Sequence, residues 1–218
     1  MNPQLCLGTV QFGMTYGVTN QFGQVEESEV VRIFNLAAQN NIKFMDTAQT
    51  YGTSEAVIGR HWPSYANKKV ISKLASNLPP EKWEQSFQKS LRCLKVRCMD
   101  SFIVHSSSDF NGPFSSQLLD WLSSLRERRL VGRIGVSIYD TSELALLPLN
   151  HLQIIQLPLS LYDQRFLTDG TLERLVSLDI SIHARSVFLQ GLLAQQSELW
   201  PSFLSPEFKK HHDHFEQL

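Results

Sequence analysis

The chain has 218 residues, of which 42% are hydrophobic and 19% charged, so it has enough apolar surface for one domain with a large core and is not intrinsically disordered. Lys and Arg number 20 and Asp and Glu number 21, and the resulting formal charge of -1 gives no general attraction to nucleic acid or to an anionic membrane. The 3 cysteines without C-x-x-C spacing, the lack of a long apolar run and the lack of a signal-peptide pattern favour a soluble, cytoplasmic protein.

Short apolar runs rich in β-branched residues alternate with helical patterns along the chain. These runs predict strands at residues 4–9, 43–47, 70–74, 101–105, 133–137, 153–157 and 181–184. Apolar residues spaced by three or four positions indicate amphipathic helices between the strands. Their apolar stripes are Val30, Phe34 and Ala37; Trp83, Phe87, Leu91 and Leu94; and Leu118, Leu122 and Leu125. The alternation predicts an α/β fold with a parallel sheet.

Two parallel architectures fit this alternation, an open doubly wound sheet and a closed (β/α)8 barrel of the TIM type. The first strand is not followed by G-x-G-x-x-G, and the sequence contains no phosphate-binding G-x-x-x-x-G-K-[ST] loop, so the barrel is favoured. Units of roughly 30 residues fill the chain after about seven βα units, whereas such a barrel has eight. We therefore expect residues 1–218 to form a single barrel domain that is incomplete and truncated at its C-terminus.

Polar residues stand at the ends of successive predicted strands. Asp46 ends the second strand, with Tyr51 shortly after it, while Lys73 and His105 end the third and fourth. In a parallel barrel these ends share the face that carries catalytic groups. Each residue alone is more often a cap, a solvated charge or a packing residue, but together they suit a proton-donor site.

The chemistry of such a site follows from the residue types. Lys73 would act as a nearby cation that lowers the pKa of Tyr51, and Asp46 would keep Lys73 charged and oriented. His105 would hydrogen-bond a substrate oxygen. This arrangement favours protonation of a carbonyl oxygen by Tyr51 while hydride arrives from a nicotinamide, because no side chain donates hydride.

These four residues, in this order, resemble the catalytic tetrad of the aldo-keto reductase family. The resemblance extends from about residue 4 to about residue 193. Further matching segments are Leu7-Gly8-Thr9, Phe44-Met45-Asp46-Thr47-Ala48, Gly132-Arg133-Ile134-Gly135-Val136-Ser137 and Gln190-Gly191-Leu192-Leu193. The resemblance implies an NAD(P)H-dependent oxidoreductase that reduces an aldehyde or ketone to an alcohol, with the proton from Tyr51. It also implies NADP(H) as the cofactor, with NAD(H) still open, and a small-molecule carbonyl substrate.

The resemblance also assigns cofactor contacts, of which Gln156 corresponds to an amide that hydrogen-bonds the nicotinamide carboxamide. The expected contacts are Gly8, Thr9, Asp46, Ser137, Gln156, Arg185, Ser186 and Gln190. Ile138 replaces an Asn that is common in the family, and Arg185 replaces an aromatic residue that often stacks on the nicotinamide. The planar group of Arg185 can stack in its place or pair with a phosphate.

The C-terminal part of the sequence gives further expectations. No metal is expected, because the histidines at 211, 212 and 214 lie near the terminus, where disorder concentrates. The family's eighth strand and the basic loop that grips the adenosine 2′-phosphate have no counterpart in these residues.

Three hypotheses therefore remain: an active reductase, a non-catalytic aldo-keto-reductase-like binding or regulatory module, and an inactive fragment of a longer enzyme. We expect this chain alone to bind nicotinamide cofactor weakly and to self-associate through the unclosed barrel edge.

Overall fold

The computed structural model describes residues 4–216 and contains seven parallel strands that alternate with helices. The strands are β1 (Cys6–Gly8), β2 (Phe44–Asp46), β3 (Lys69–Leu74), β4 (Met99–Val104), β5 (Val131–Ser137), β6 (Ile154–Pro158) and β7 (Ser181–Arg185). The α-helices are α1 (Val10–Gly13), α2 (Glu27–Gln39), α3 (Ser54–His61), α4 (Pro80–Leu94), α5 (Ser115–Glu127), α6 (Arg165–Thr168), α7 (Thr171–Ser177) and α8 (Pro206–Glu216). Short 3-10 helices lie at Ser107–Phe110, Thr141–Leu146, Leu149–His151, Leu189–Ala194 and Ser197–Leu199. None of these helices combines the length and apolar character needed to cross a bilayer.

The strands follow one another across the sheet in chain order, from β1 to β7. At one edge of the sheet Gly8 of β1 pairs with Asp46 of β2, and at the opposite edge Pro158 of β6 pairs with Arg185 of β7. The predicted incomplete (β/α)8 barrel is confirmed, because seven parallel strands form a curled half-barrel. Within residues 4–216, β1 and β7 each have one sheet neighbour and do not pair with each other. The C-terminal ends of the strands form a common rim, onto which the βα loops open.

The helices pack on the sheet through the apolar stripes that the sequence predicts, and every residue of those stripes is buried. Phe87 of α4, for example, contacts Phe102 of β4 edge-on, with ring centroids 5.0 Å apart. Helices α3 and α4 approach each other at Gly59, where a Cβ atom would lie 1.9 Å from the carbonyl oxygen of Cys93. The lack of a side chain at Gly59 therefore sets how closely these helices pack.

The C-terminal helix α8 is packed through His212, which is 3% exposed. The imidazole of His212 stacks on the ring of Trp200 at 4.6 Å, and its Nδ1 lies 3.1 Å from the hydroxyl of Tyr162. The expectation that the terminal histidines lie in a disordered segment is wrong, because these aromatic contacts hold the helix in place. Within the described chain, no group of His, Cys, Asp and Glu is arranged to hold a metal ion.

The loops that follow β1 and β7 meet at the rim, although the strands themselves do not pair. The Thr19 hydroxyl donates a hydrogen bond of 3.2 Å to the carbonyl oxygen of Gln190. Gly191 has a φ of 100°, and a Cβ atom there would lie 2.3 Å from the Thr19 hydroxyl oxygen. Glycine is therefore required where the two loops touch. We call the gap between β1 and β7 the seam.

Candidate active site

Asp46, Tyr51, Lys73 and His105 lie together at the C-terminal rim of the sheet. The Lys73 ammonium donates to both carboxylate oxygens of Asp46, at 2.8 and 2.7 Å, and to the carbonyl of Thr47 at 2.8 Å. The same nitrogen lies 3.5 Å from the Tyr51 hydroxyl. The rings of Tyr51 and His105 are 5.8 Å apart and nearly perpendicular. The structure thus brings the four predicted catalytic residues together.

The ion pair between Lys73 and Asp46 is largely removed from water. The Lys73 side chain is 1% exposed and that of Asp46 is 15% exposed. An ammonium group has three hydrogens to donate, and the oxygens of Asp46, Thr47 and Tyr51 surround it. Because a buried charge is tolerated only when it is paired and hydrogen-bonded, these contacts hold the Lys73 ammonium in one position beside the phenol.

The Tyr51 hydroxyl is a weaker acid here than in water. Burial and the negative charge of Asp46 raise the pKa of the Tyr51 phenol above its ordinary value. The expectation that Lys73 lowers this pKa is wrong for the site as it stands, because Asp46 balances the charge of Lys73 and burial disfavours the phenolate. Tyr51 is therefore protonated at neutral pH and has a proton to give.

His105 is neutral at physiological pH. Burial and the positive charge of Lys73 lower the pKa of His105 to about 4. Its Nδ1 lies 3.2 Å from the hydroxyl oxygen of Thr50. When the Thr50 hydroxyl donates to Nδ1, the single ring hydrogen is on Nε2, where it is available to an oxygen acceptor.

Two further residues extend this network toward the seam. The Gln156 side chain, 1% exposed, donates from Nε2 to Asp46 Oδ1 at 2.8 Å and lies 3.2 Å from Nδ1 of His183. Burial lowers the pKa of His183. The sequence prediction missed His183, although a histidine inside an apolar strand was a usable signal. Because side chains alternate along a strand, His183 and Arg185 share one face of β7.

The other predicted cofactor residues lie at or near the same rim. Gly8 ends β1, and a Cβ atom there would meet nothing within 4 Å. The Thr9 hydroxyl is buried, donating to the Asp46 carbonyl at 2.8 Å and accepting from Ser54 at 2.8 Å, so these two bonds fix its position after β1. Ser137 is buried at the end of β5, where it pairs with Gln156.

The loop after β7 carries the remaining three predicted contacts. Arg185 Nη1 donates to the hydroxyl of Ser186 at 3.3 Å. Gln190 uses its carbonyl to accept the hydrogen bond from Thr19. Ser186 and Gln190 have φ angles of 56° and 57°, so this loop turns sharply away from the strand end.

Comparison with known families identifies the chain. The sequence model of the Aldo/keto reductase family matches residues 4–214. The chain belongs to the aldo-keto reductase family. A comparison with curated proteins found no match.

Solved structures share the aldo-keto reductase fold with this chain. An aldo-keto reductase from Pseudomonas aeruginosa aligns with a TM-score of 0.70 at 21% identity, over 83% of this chain and 72% of its own. The glycerol dehydrogenase of Gluconobacter oxydans aligns with a TM-score of 0.69 at 23% identity, over 92% of this chain and 64% of its own. An aldo-keto reductase of Klebsiella pneumoniae in complex with NADP and acetate aligns with a TM-score of 0.62 at 19% identity, over 87% of this chain and 65% of its own. At these identities the likeness shows the fold, and the chain spans about two thirds of the length of these relatives.

The partly buried His105 is expected to make the stability of this aldo-keto reductase fall in mild acid. The pKa of His105 is lower in the folded chain than the ordinary 6.5, so between about pH 6.5 and 4 the unfolded chain takes up a proton that the folded chain does not. Stability therefore decreases as the pH falls through this window. Between about pH 7 and pH 5, the parent should lose more unfolding free energy than His105→Asn, by about 1 kcal/mol. This difference is roughly half of that expected for a fully buried imidazole, because the ring is partly exposed.

The measurement is urea unfolding of the parent and the variant at both pH values. His151→Asn is the matched control, because His151 is exposed. An unchanged pH dependence in His105→Asn would contradict the assignment of a neutral, buried imidazole.

Proposed function

We propose that this chain is an NAD(P)H-dependent oxidoreductase that reduces an aldehyde or ketone to an alcohol. The observation that carries the proposal is the Tyr51 hydroxyl, held 3.5 Å from the Lys73 ammonium and beside the ring of His105. Membership of the aldo-keto reductase family supports oxidoreductase chemistry. The Klebsiella pneumoniae relative in complex with NADP supports a nicotinamide cofactor. The substrate is accordingly a small carbonyl compound.

In this proposal the carbonyl oxygen is bound by two donors, the Tyr51 hydroxyl and the Nε2–H of neutral His105. As negative charge develops on that oxygen, Tyr51 transfers its proton, because a phenol remains more acidic than the alcohol that forms. The Lys73 ammonium then stabilises the phenolate, and Asp46 keeps the ammonium in place. The raised pKa of Tyr51 in the resting site is compatible with this role, since it keeps the proton on the donor until the substrate oxygen needs it.

The residues at the rim fit a nicotinamide cofactor, which would supply the hydride. Gln156 donates from Nε2 to Asp46, which fixes its amide at the rim, and its Oε1 would accept from a carboxamide. The open space at Gly8 allows a ligand to approach the backbone at the end of β1. Ser186 and Gln190 would provide further polar contacts from the loop after β7. We propose NADP(H) as the cofactor, with NADH as the comparison in binding experiments.

Isotope transfer tests the proposed reaction directly. The purified chain is incubated with NADPH deuterated at the reactive carbon of the nicotinamide and with a panel of aldehydes and ketones. The expected result is one deuterium on the carbinol carbon of the product, detected by mass spectrometry. Retained NADPH binding without alcohol formation across the panel would overturn the reductase proposal and favour a non-catalytic binding module.

A further inference from the structure

Arg185 occupies the end of β7 with its guanidinium fixed over the neighbouring loop. The guanidinium carbon lies 3.9 Å from the centre of the Tyr139 ring. Nη2 donates to the carbonyl oxygen of Ile138 at 3.2 Å, and Nη1 donates to the Ser186 hydroxyl at 3.3 Å. These contacts set the position of the charged group and use only two of the five N–H groups that a guanidinium carries.

Arg185 forms no salt bridge in the described part of the chain, although its charge acts on Asp163, whose own partner is Arg165. The Arg185 Nε atom is buried and has no hydrogen-bond partner there. Lys73 is paired with Asp46, and Arg165 forms two hydrogen bonds of 2.9 Å with Asp163. A buried guanidinium N–H without an acceptor is unfavourable, and a guanidinium remains charged at all physiological pH values. Arg185 therefore has hydrogen-bond donors left over for an anion.

The same guanidinium belongs to the rim that carries the proposed proton donor. Arg185 pairs with Pro158 at the C-terminal ends of β7 and β6, which places it on this rim. Burial has the largest effect on the pKa of Tyr51 and of His105, and the charge of Arg185 lowers both pKa values. Arg185 shares its face of β7 with His183, which contacts the Gln156 side chain. An anion bound to Arg185 is thus a near neighbour of the carbonyl oxygen that Tyr51 and His105 would hold.

We propose that Arg185 binds an anionic oxygen group, a carboxylate or a phosphate, carried by the carbonyl substrate. This inference rests on the proposed function and specifies its substrate class as oxo acids or phosphorylated carbonyl compounds. The N–H groups that these contacts leave unused can form a planar fork of the kind that binds two oxygens of a carboxylate or phosphate together. The cofactor's own phosphates are the other source of the same chemistry, and the experiment separates the two.

The kinetic test compares related substrates with and without an anionic group. The pairs are 4-oxobutanoate with its methyl ester, and glyceraldehyde 3-phosphate with glyceraldehyde. The preference for the charged member, as a ratio of kcat/KM values, is expected to fall about 10- to 100-fold in Arg185→Gln and less in Arg185→Lys, which keeps the charge but loses the fork. Arg126→Gln is the control for net charge, because Arg126 is exposed at the end of α5.

Binding measurements, which do not depend on turnover, show whether the anion at Arg185 comes from the substrate or from the cofactor. This proposal replaces the sequence-based expectation that Arg185 contacts the cofactor, so the Kd for NADPH is expected to change less than about threefold in Arg185→Gln. A weakened NADPH affinity with an unchanged substrate preference would overturn the proposal and assign Arg185 to the cofactor. Circular dichroism and thermal unfolding of each variant verify that it is folded.

If the parent reduces no carbonyl compound, the proposed function fails. An NMR titration then still tests whether Arg185 binds an anion. The Nε–H signal of Arg185, identified by its loss in Arg185→Gln, is followed while butanoate or inorganic phosphate is added. A saturable shift with these anions and none with butanamide would support an anion site at Arg185. No shift with either anion would overturn it.

Discussion

Replacing Tyr51 with Phe is expected to lower kcat by about 10²- to 10⁴-fold while changing the Kd for NADPH less than about threefold. The substitution removes the only proton that the proposed donor can give. It keeps the aromatic ring, whose centroid lies 4.9 Å from the Lys73 ammonium and 5.8 Å from the centroid of the His105 ring. The packing of the site should therefore persist. The effect should therefore appear in the chemical step and not in folding.

Steady-state and single-turnover kinetics of the purified variant measure this loss, and NADPH binding is measured separately. Tyr65→Phe is the matched control, because Tyr65 is 73% exposed and donates only to the side chain of Asn35. An unchanged kcat with a raised KM in Tyr51→Phe would assign Tyr51 to substrate binding and refute its role as proton donor.

Replacing Asp46 with Asn is expected to destabilise the fold by about 3–5 kcal/mol, because it leaves the buried ammonium of Lys73 without a counter-charge. The amide is nearly the same shape as the carboxylate, so the loss would come from the charge. Lys73→Met on its own should also destabilise the fold, since it leaves the Asp46 carboxylate unpaired. The double variant should lose clearly less stability than the sum of the single losses, because neither charge is then left alone.

Chemical denaturation of the parent, both single variants and the double variant completes the mutant cycle. Asp163→Asn is the control, since Asp163 pairs with Arg165, whose side chain is 50% exposed, and loss of such a pair is expected to cost about 1 kcal/mol or less. If Asp46→Asn costs no more than Asp163→Asn, or if the single losses simply add, the ion pair at Lys73 is not the coupled element that its burial indicates.

The sequence predicted the parallel sheet well, because β-branched apolar runs and helical stripes are local signals of it. The first and last residues of several strands were predicted less accurately than the strands themselves. Strand β4 begins at Met99 and β5 at Val131, earlier than their apolar runs suggest, because the backbone ladder continues through Asp100 and Gly132. Strand β1 is shorter than predicted, with only Cys6–Gly8 in the sheet. Hydrogen bonds between backbones do not depend on hydrophobicity, so the pattern misses such ends.

The convergence of the four proposed catalytic residues was also predictable, because residues at the C-terminal ends of parallel strands meet at one rim. The direction of the Tyr51 pKa shift was not. It depends on burial and on Asp46 neutralising Lys73, which are properties of the packed site. Similarly, the placement of Arg185 over Tyr139 depends on how the loops after β5 and β7 fold, and neither loop has a periodic signal.

The loop contact across the seam has a consequence for the order in which the chain folds. Each strand pairs with the strand next to it in the sequence, so the sheet is able to grow by short-range steps. The hydrogen bond from Thr19 to Gln190, in contrast, joins residues 171 positions apart. Closing so long a loop costs more entropy than pairing neighbouring strands, and contacts between distant residues form slowly. We expect the Thr19–Gln190 contact across the seam to form last during folding and to open first in native-state fluctuations, after the end of β7 has been ordered by its pairing with β6.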